Sequence, residues 1–109
     1  MSKVKPQLQF RVPIFCSKVR VFLTDDVFKI AQQLDVEITP PCQAFEFTDE
    51  STVNIVLPQD RWQDYLIHEC VHATWSTLAC CNIEVCRETE EVFAYLFEYL
   101  VDYIKDKLE

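Results

Sequence analysis

Residues 58–79 read PQDRWQDYLIHECVHATWSTLA, and the fold turns on whether this stretch is a helix. Pro58, Gln59 and Asp60 supply a start signal. Trp62, Tyr65, Leu66, His68, Glu69, His72, Ala73, Ser76 and Ala79 then recur at three- and four-residue spacing, marking one broad helical face. Inside it, His68-Glu69-Cys70-Val71-His72 spells H-E-x-x-H and uses the only two histidines of the chain. Residues four apart share a helix face, so both imidazoles can reach one metal ion. Glu69 stands beside them, where a carboxylate can hold and deprotonate a metal-bound water, the arrangement that zinc-assisted hydrolysis requires.

Upstream of this helix the pattern is strand-like. Leu8, Phe10, Val12 and Ile14 alternate through Gln7 to Phe15, and Val19, Val21 and Leu23 alternate through Lys18 to Leu23. Pro13 cannot donate to a ladder, so it places one of these strands at an edge or interrupts it. Thr24-Asp25-Asp26 reads as a helix start, with Val27, Ile30, Ala31 and Leu34 at helical spacing. Ala44 to Thr48 and Thr52 to Leu57 are two further strands around an Asp49-Glu50-Ser51 turn. Downstream, a last helix is expected from about Arg87-Glu88-Thr89, with Phe93, Leu96, Phe97, Leu100 and Ile104 as its apolar stripe. The reading is a single domain over residues 1–109, of α+β class: a small, mostly antiparallel sheet, one short helix, the motif helix and a C-terminal helix.

Composition narrows the function classes. The chain has 109 residues, half of them hydrophobic, enough for one modest core and no separate substrate lobe. Ten basic against eighteen acidic residues give a formal charge of −8, which offers nothing to neutralise phosphates and argues against a nucleic-acid partner. No stretch approaches membrane-spanning length, and Met1 to Arg11 lacks the apolar region of a signal peptide, so a soluble cytoplasmic protein is expected, its six cysteines as free thiols. Cys70 lies off the histidine face and reads as a buried small hydrophobe; Trp62 and Trp75 read as core. The chain has no glycine. Gly-rich phosphate loops are thereby excluded, and left-handed backbone must fall on Asn, Asp or a strained residue, with Asn82 the expected helix stop.

A catalytic zinc takes three protein ligands and keeps a position for water, so His68 and His72 need a partner. The extended form that adds a third histidine is excluded, because Trp75 and Leu78 occupy its glycine and histidine positions. A glutamate from the next helix is the other common solution. Glu91 shares a face with Ala94, Tyr95 and Glu98, which makes it the first choice, with Glu88 in reserve. Tyr95, one turn beyond Glu91, is a candidate donor to negative charge developing on a tetrahedral intermediate.

The run His68-Glu69-Cys70-Val71-His72-Ala73, followed by Glu91-Val92-Phe93-Ala94-Tyr95-Leu96 and Tyr99-Leu100, resembles the small metallopeptidase-like proteins encoded by bacterial phages and prophages. The preceding strand ending Ile55-Val56-Leu57-Pro58 fits as well, so the likeness covers roughly residues 43 to 101. It implies a minimal zincin-like fold with zinc on His68, His72 and Glu91, Glu69 as general base, and a protein or peptide substrate from host or phage. Val92 stands where the family pattern has alanine. Such a substrate is expected along an exposed strand, with Thr52 to Leu57, immediately before the motif helix, as that edge. The rival reading keeps the metal and the fold but uses them to bind or block a partner protein, since so small a chain has little wall with which to position a peptide.

Overall fold

The computed structural model describes residues 4–15 and 17–109, so expectations for residues 1–3 and for Cys16 lie outside the described residues. Its elements are β1 (Leu8–Arg11), β2 (Lys18–Thr24), α1 (Val27–Gln33), β3 (Phe45–Asp49), β4 (Thr52–Pro58), α2 (Trp62–Cys80) and α3 (Glu90–Leu108), the last preceded by a 3₁₀ turn over Arg87–Thr89. The four strands form one sheet in the order β1-β2-β4-β3. β1 pairs antiparallel with β2, and β3 antiparallel with β4. The central pair is parallel, Lys18 opposite Thr52 through Thr24 opposite Pro58. The sheet is therefore mixed. A parallel pair needs a crossover connection, which α1 and the loop after it supply.

Strand alternation divides the sheet into two faces. Val19, Val21, Val53, Ile55 and Leu57 turn toward α2 and α3 and meet Leu66, Cys70, Ala73, Leu78, Leu96, Leu100 and Ile104 in the main core. Phe22, Phe45 and Val56 turn the other way and pack on Ile30 and Ala31 of α1. Burying each of the Val, Ile, Leu and Phe side chains contributes about 1.5–3 kcal/mol, and α2 adds Trp62, Leu66, Cys70, Ala73 and Leu78 to the apolar core.

The first strand is shorter than its alternation suggests. Pro13 has no N–H to donate, and Ile14 at φ 61° turns the chain, so the ladder stops at Arg11 and resumes at Lys18. Asp26 caps α1 as expected, its Oδ1 accepting from the N–H of Lys29 at 3.1 Å. For α2 the expected cap on residues 58–60 is not formed: Arg61 holds the cap position without a side-chain bond and its Nε donates instead to Asp64 at 3.2 Å.

The missing glycines are replaced as the composition requires. Ile14, Asp35, Glu50 and Asn82 take positive φ. Asn82 at 59° ends the motif helix, and the following N–H of Ile83 returns to the Leu78 carbonyl at 2.9 Å.

Candidate metal centre

Helical phase sorts the motif residues sharply. Leu66, Glu69, Cys70 and Ala73 form the buried face of α2, whereas His68 and His72 stand at its solvent side. Their rings lie 5.1 Å apart between centroids, edge to face. The His68 side chain keeps 72% of its exposure, and its Nε2 is 4.0 Å from Oε2 of Glu69, whose side chain is 5% exposed. Two imidazoles thus present themselves together to solvent above a carboxylate sunk into the helix–sheet junction.

A cleft of about 480 Å³ opens at this point. One wall is the loop Pro41, Cys42, Gln43 and Ala44 that leads into β3; the other is Asp64, Tyr65, His68 and Glu69 of α2. The Tyr65 hydroxyl donates to Oε1 of Gln43 and ties the two walls together. The thiol of Cys42 donates to the Ala44 carbonyl at 3.2 Å.

Burial sets the electrostatics. Removal from water pushes the Glu69 carboxyl above the usual carboxylate range; His68 and His72 oppose that rise and the charge of Glu46 adds to it. The Cys42 thiol is raised by burial as well, partly offset by its bond to Ala44. Cys70, under the motif and fully enclosed, is pushed up to about 12 by burial and secondarily by Glu69. It is the inert small hydrophobe its helical phase indicates.

The donor set fits a divalent metal in part. Two imidazoles on one helix face match two of the positions that zinc takes from protein. The third is not assembled: among the described residues, no three His, Cys, Asp or Glu side chains converge as a group able to hold a metal ion. Glu91 is exposed in the first turn of α3. Glu88 lies in the 3₁₀ turn, where its Oε2 accepts from the Cys86 thiol at 3.3 Å and its carboxyl is lowered mainly by that bond. Tyr95 is 69% exposed and lines a separate groove with Val12, Pro13, Ile14 and Phe15, away from the cleft of His68 and Glu69.

Two other expectations are revised, the strand edge and Trp75, while the described cysteines are as expected. β4 is an inner strand between β2 and β3, with Val53 to Leu57 buried, so the strand edge beside the cleft is β3. The order of pairing, which sequence alternation does not carry, decides this. Trp62 is core, but Trp75 is 56% exposed and meets Phe93 edge to face at 6.5 Å. Of the six cysteines, Cys42, Cys70, Cys80, Cys81 and Cys86 are free thiols.

The cleft residues that the sequence did not assign to the site are Cys42, Gln43 and Tyr65. Tyr65 was within reach, being three and four positions before His68 and Glu69 on one face. Cys42 and Gln43 arrive by a loop whose path no periodicity records. No protein-family model, no curated protein and no solved structure matches this chain.

Proposed function

We propose that the chain is a zinc-dependent peptidase of the glutamate-zincin type, acting on a protein or peptide. One observation carries the reading: the two exposed imidazoles of H-E-x-x-H stand 5.1 Å apart on one helix face, with the buried Glu69 carboxylate 4.0 Å from the first of them. His68 and His72 would hold the zinc, which when bound would supply Lewis acidity and lower the pKa of a water. Glu69 moves the proton. Its side chain lines the cleft beside His68, within reach of a water held there. It accepts the proton of the attacking water and returns it to the departing amine. A substrate in extended form adds to the β3 edge, Phe45–Asp49, which continues directly from the cleft wall at Ala44.

Glu91 is the proposed third protein ligand, with Glu88 next. No three donors converge among the described residues, so the third ligand is assigned from helical phase and sequence spacing. The same observation favours a second reading, in which the chain holds metal weakly, turns nothing over and acts by binding a partner protein.

The test is metal content by elemental analysis on protein purified without a metal-binding tag, for the wild type, His72→Ala and Glu91→Ala. It is followed by peptide hydrolysis with the wild type and Glu69→Gln. About one zinc per chain, lost in both ligand variants, together with turnover lost in Glu69→Gln at unchanged zinc content, is the expected result. Zinc retained with no turnover in the wild type would favour the binding reading. No zinc after reconstitution would remove both.

A further inference from the structure

The most anomalous surface of the molecule lies away from the cleft, where the turn after β1 faces α3. Ile14 is 98% exposed and holds φ 61°, a left-handed conformation that a β-branched residue resists. On either side, Val12 N–H is bonded to Ser17 O at 3.0 Å and Phe15 N–H to Val12 O at 3.3 Å. A backbone conformation that disfavours isoleucine is thus used to hold an isoleucine out in water. Beside it runs a groove of about 280 Å³ walled by Pro13, Phe15, Tyr95, Leu96 and Tyr99. Val92 and Tyr95 on the same wall are 38% and 69% exposed. Contiguous exposed apolar surface of this kind marks an interaction site.

Charge identifies the partner. On α3, Glu91, Glu98 and Asp102 lie within about 60° of Tyr95 around the helix, all exposed, so an acidic stripe borders the groove along its solvent side. Arg11 and Lys18, the basic residues nearest the turn in sequence, alternate with buried Phe10, Val12 and Val19 and so turn to the opposite face of the sheet. A second copy of this chain, itself at −8, would bring like charges together across such an interface. We propose that the groove between residues 12–15 and α3 docks an amphipathic segment of a partner protein, with apolar anchors in the groove and basic residues against Glu98 and Asp102. The recognition is that of a helix laid in a groove, with Ile14 as a knob on its rim. It does not depend on metal.

The probe is a fluorescein-labelled amphipathic peptide of leucine and lysine, with a leucine–glutamate peptide of the same pattern as its comparison, followed by fluorescence anisotropy against the whole chain. The leucine–lysine peptide is expected to bind and its counterpart not to. Ile14→Asp is expected to weaken binding by about tenfold or more. Aspartate accepts left-handed backbone more readily than isoleucine, so this variant folds, and an unchanged melting temperature verifies it. Glu98→Lys combined with Asp102→Lys is expected to weaken binding comparably, whereas Glu37→Lys, on the surface beside α1, is expected to leave it within about twofold. The proposal is overturned by equal loss in Glu37→Lys, by equal binding of both peptides, by no binding at all, or by a dimer in sedimentation that Ile14→Asp dissociates.

Discussion

The interior of the motif helix contains two threonines that make opposite predictions. Thr74 and Thr77 are both fully buried on α2. The Thr74 hydroxyl donates to the Cys70 carbonyl at 2.7 Å, whereas Oγ1 of Thr77 has no hydrogen-bond partner among the described residues. Valine has nearly the shape of threonine and the same β-branch, so helix propensity and packing change little on replacement. Thr77→Val therefore removes only an unpaired buried hydroxyl. Such a group costs roughly 1–3 kcal/mol, and the variant is expected to be more stable by about 1–2 kcal/mol. At this chain length each kcal/mol raises the melting temperature by about 4 °C or more. Thr74→Val instead gives up a made hydrogen bond worth about 0.5–1.5 kcal/mol net, partly offset by the gain of a buried methyl, and is expected to be neutral or slightly less stable. Urea unfolding followed by far-ultraviolet circular dichroism reads both, with an unchanged slope excluding a change in the unfolded state. A Thr77→Val protein less stable than wild type, or a Thr74→Val protein that gains as much, would refute the assignment of these hydroxyls.

Three further outcomes are expected. Leu100→Ala, at a fully buried position of α3 in the main core, should cost about 2–5 kcal/mol, a large share of the stability of so small a domain, measured by the same unfolding. In metal-free protein at mildly alkaline pH, exposed Cys86 should react readily with a thiol reagent, and Cys70 only on unfolding. The ordinary thiol titrates near 8.5, whereas Cys70 titrates at about 12 when folded, so raising the pH to about 9 should leave it unreactive; mass spectrometry of labelled peptides checks this. Zinc at about 100 times its dissociation constant should stabilise the wild type by about 2.7 kcal/mol, reversibly with chelator, and His72→Ala should abolish the gain in a thermal scan.

What could be read from the chain follows from where the information lies. Val19, Val21, Val53 and Ile55 alternate because one face of each strand meets α2 and α3, and that alternation is written residue by residue. The α3 stripe through Leu96, Leu100 and Ile104 is legible for the same reason. Asn82 and Asp26 sit where backbone chemistry leaves few options in a chain without glycine. Strand order is different in kind: nothing local in Thr52 to Leu57 says that β2 lies on one side of it and β3 on the other. The site divides likewise. His68, Glu69 and His72 are fixed to one another by helical geometry, so their spacing predicts their arrangement. The loop carrying Cys42 and Gln43, and the approach of Glu91 from another helix, depend on long-range packing that spacing does not encode.

The parallel pairing at the centre of the sheet bears on how the chain reaches this structure. The β3–β4 hairpin and the α2–α3 pair close short connections and can form early. Lys18 meets Thr52 only after everything between them has been brought into a closed loop, at an entropic cost that must be met before any ladder bond is gained. The middle of the sheet is thus expected to assemble last. Until then β4, with Val53 to Leu57 all apolar apart from Asn54, has an uncovered edge, which makes that strand the point at which a slow-folding chain is most exposed to aggregation.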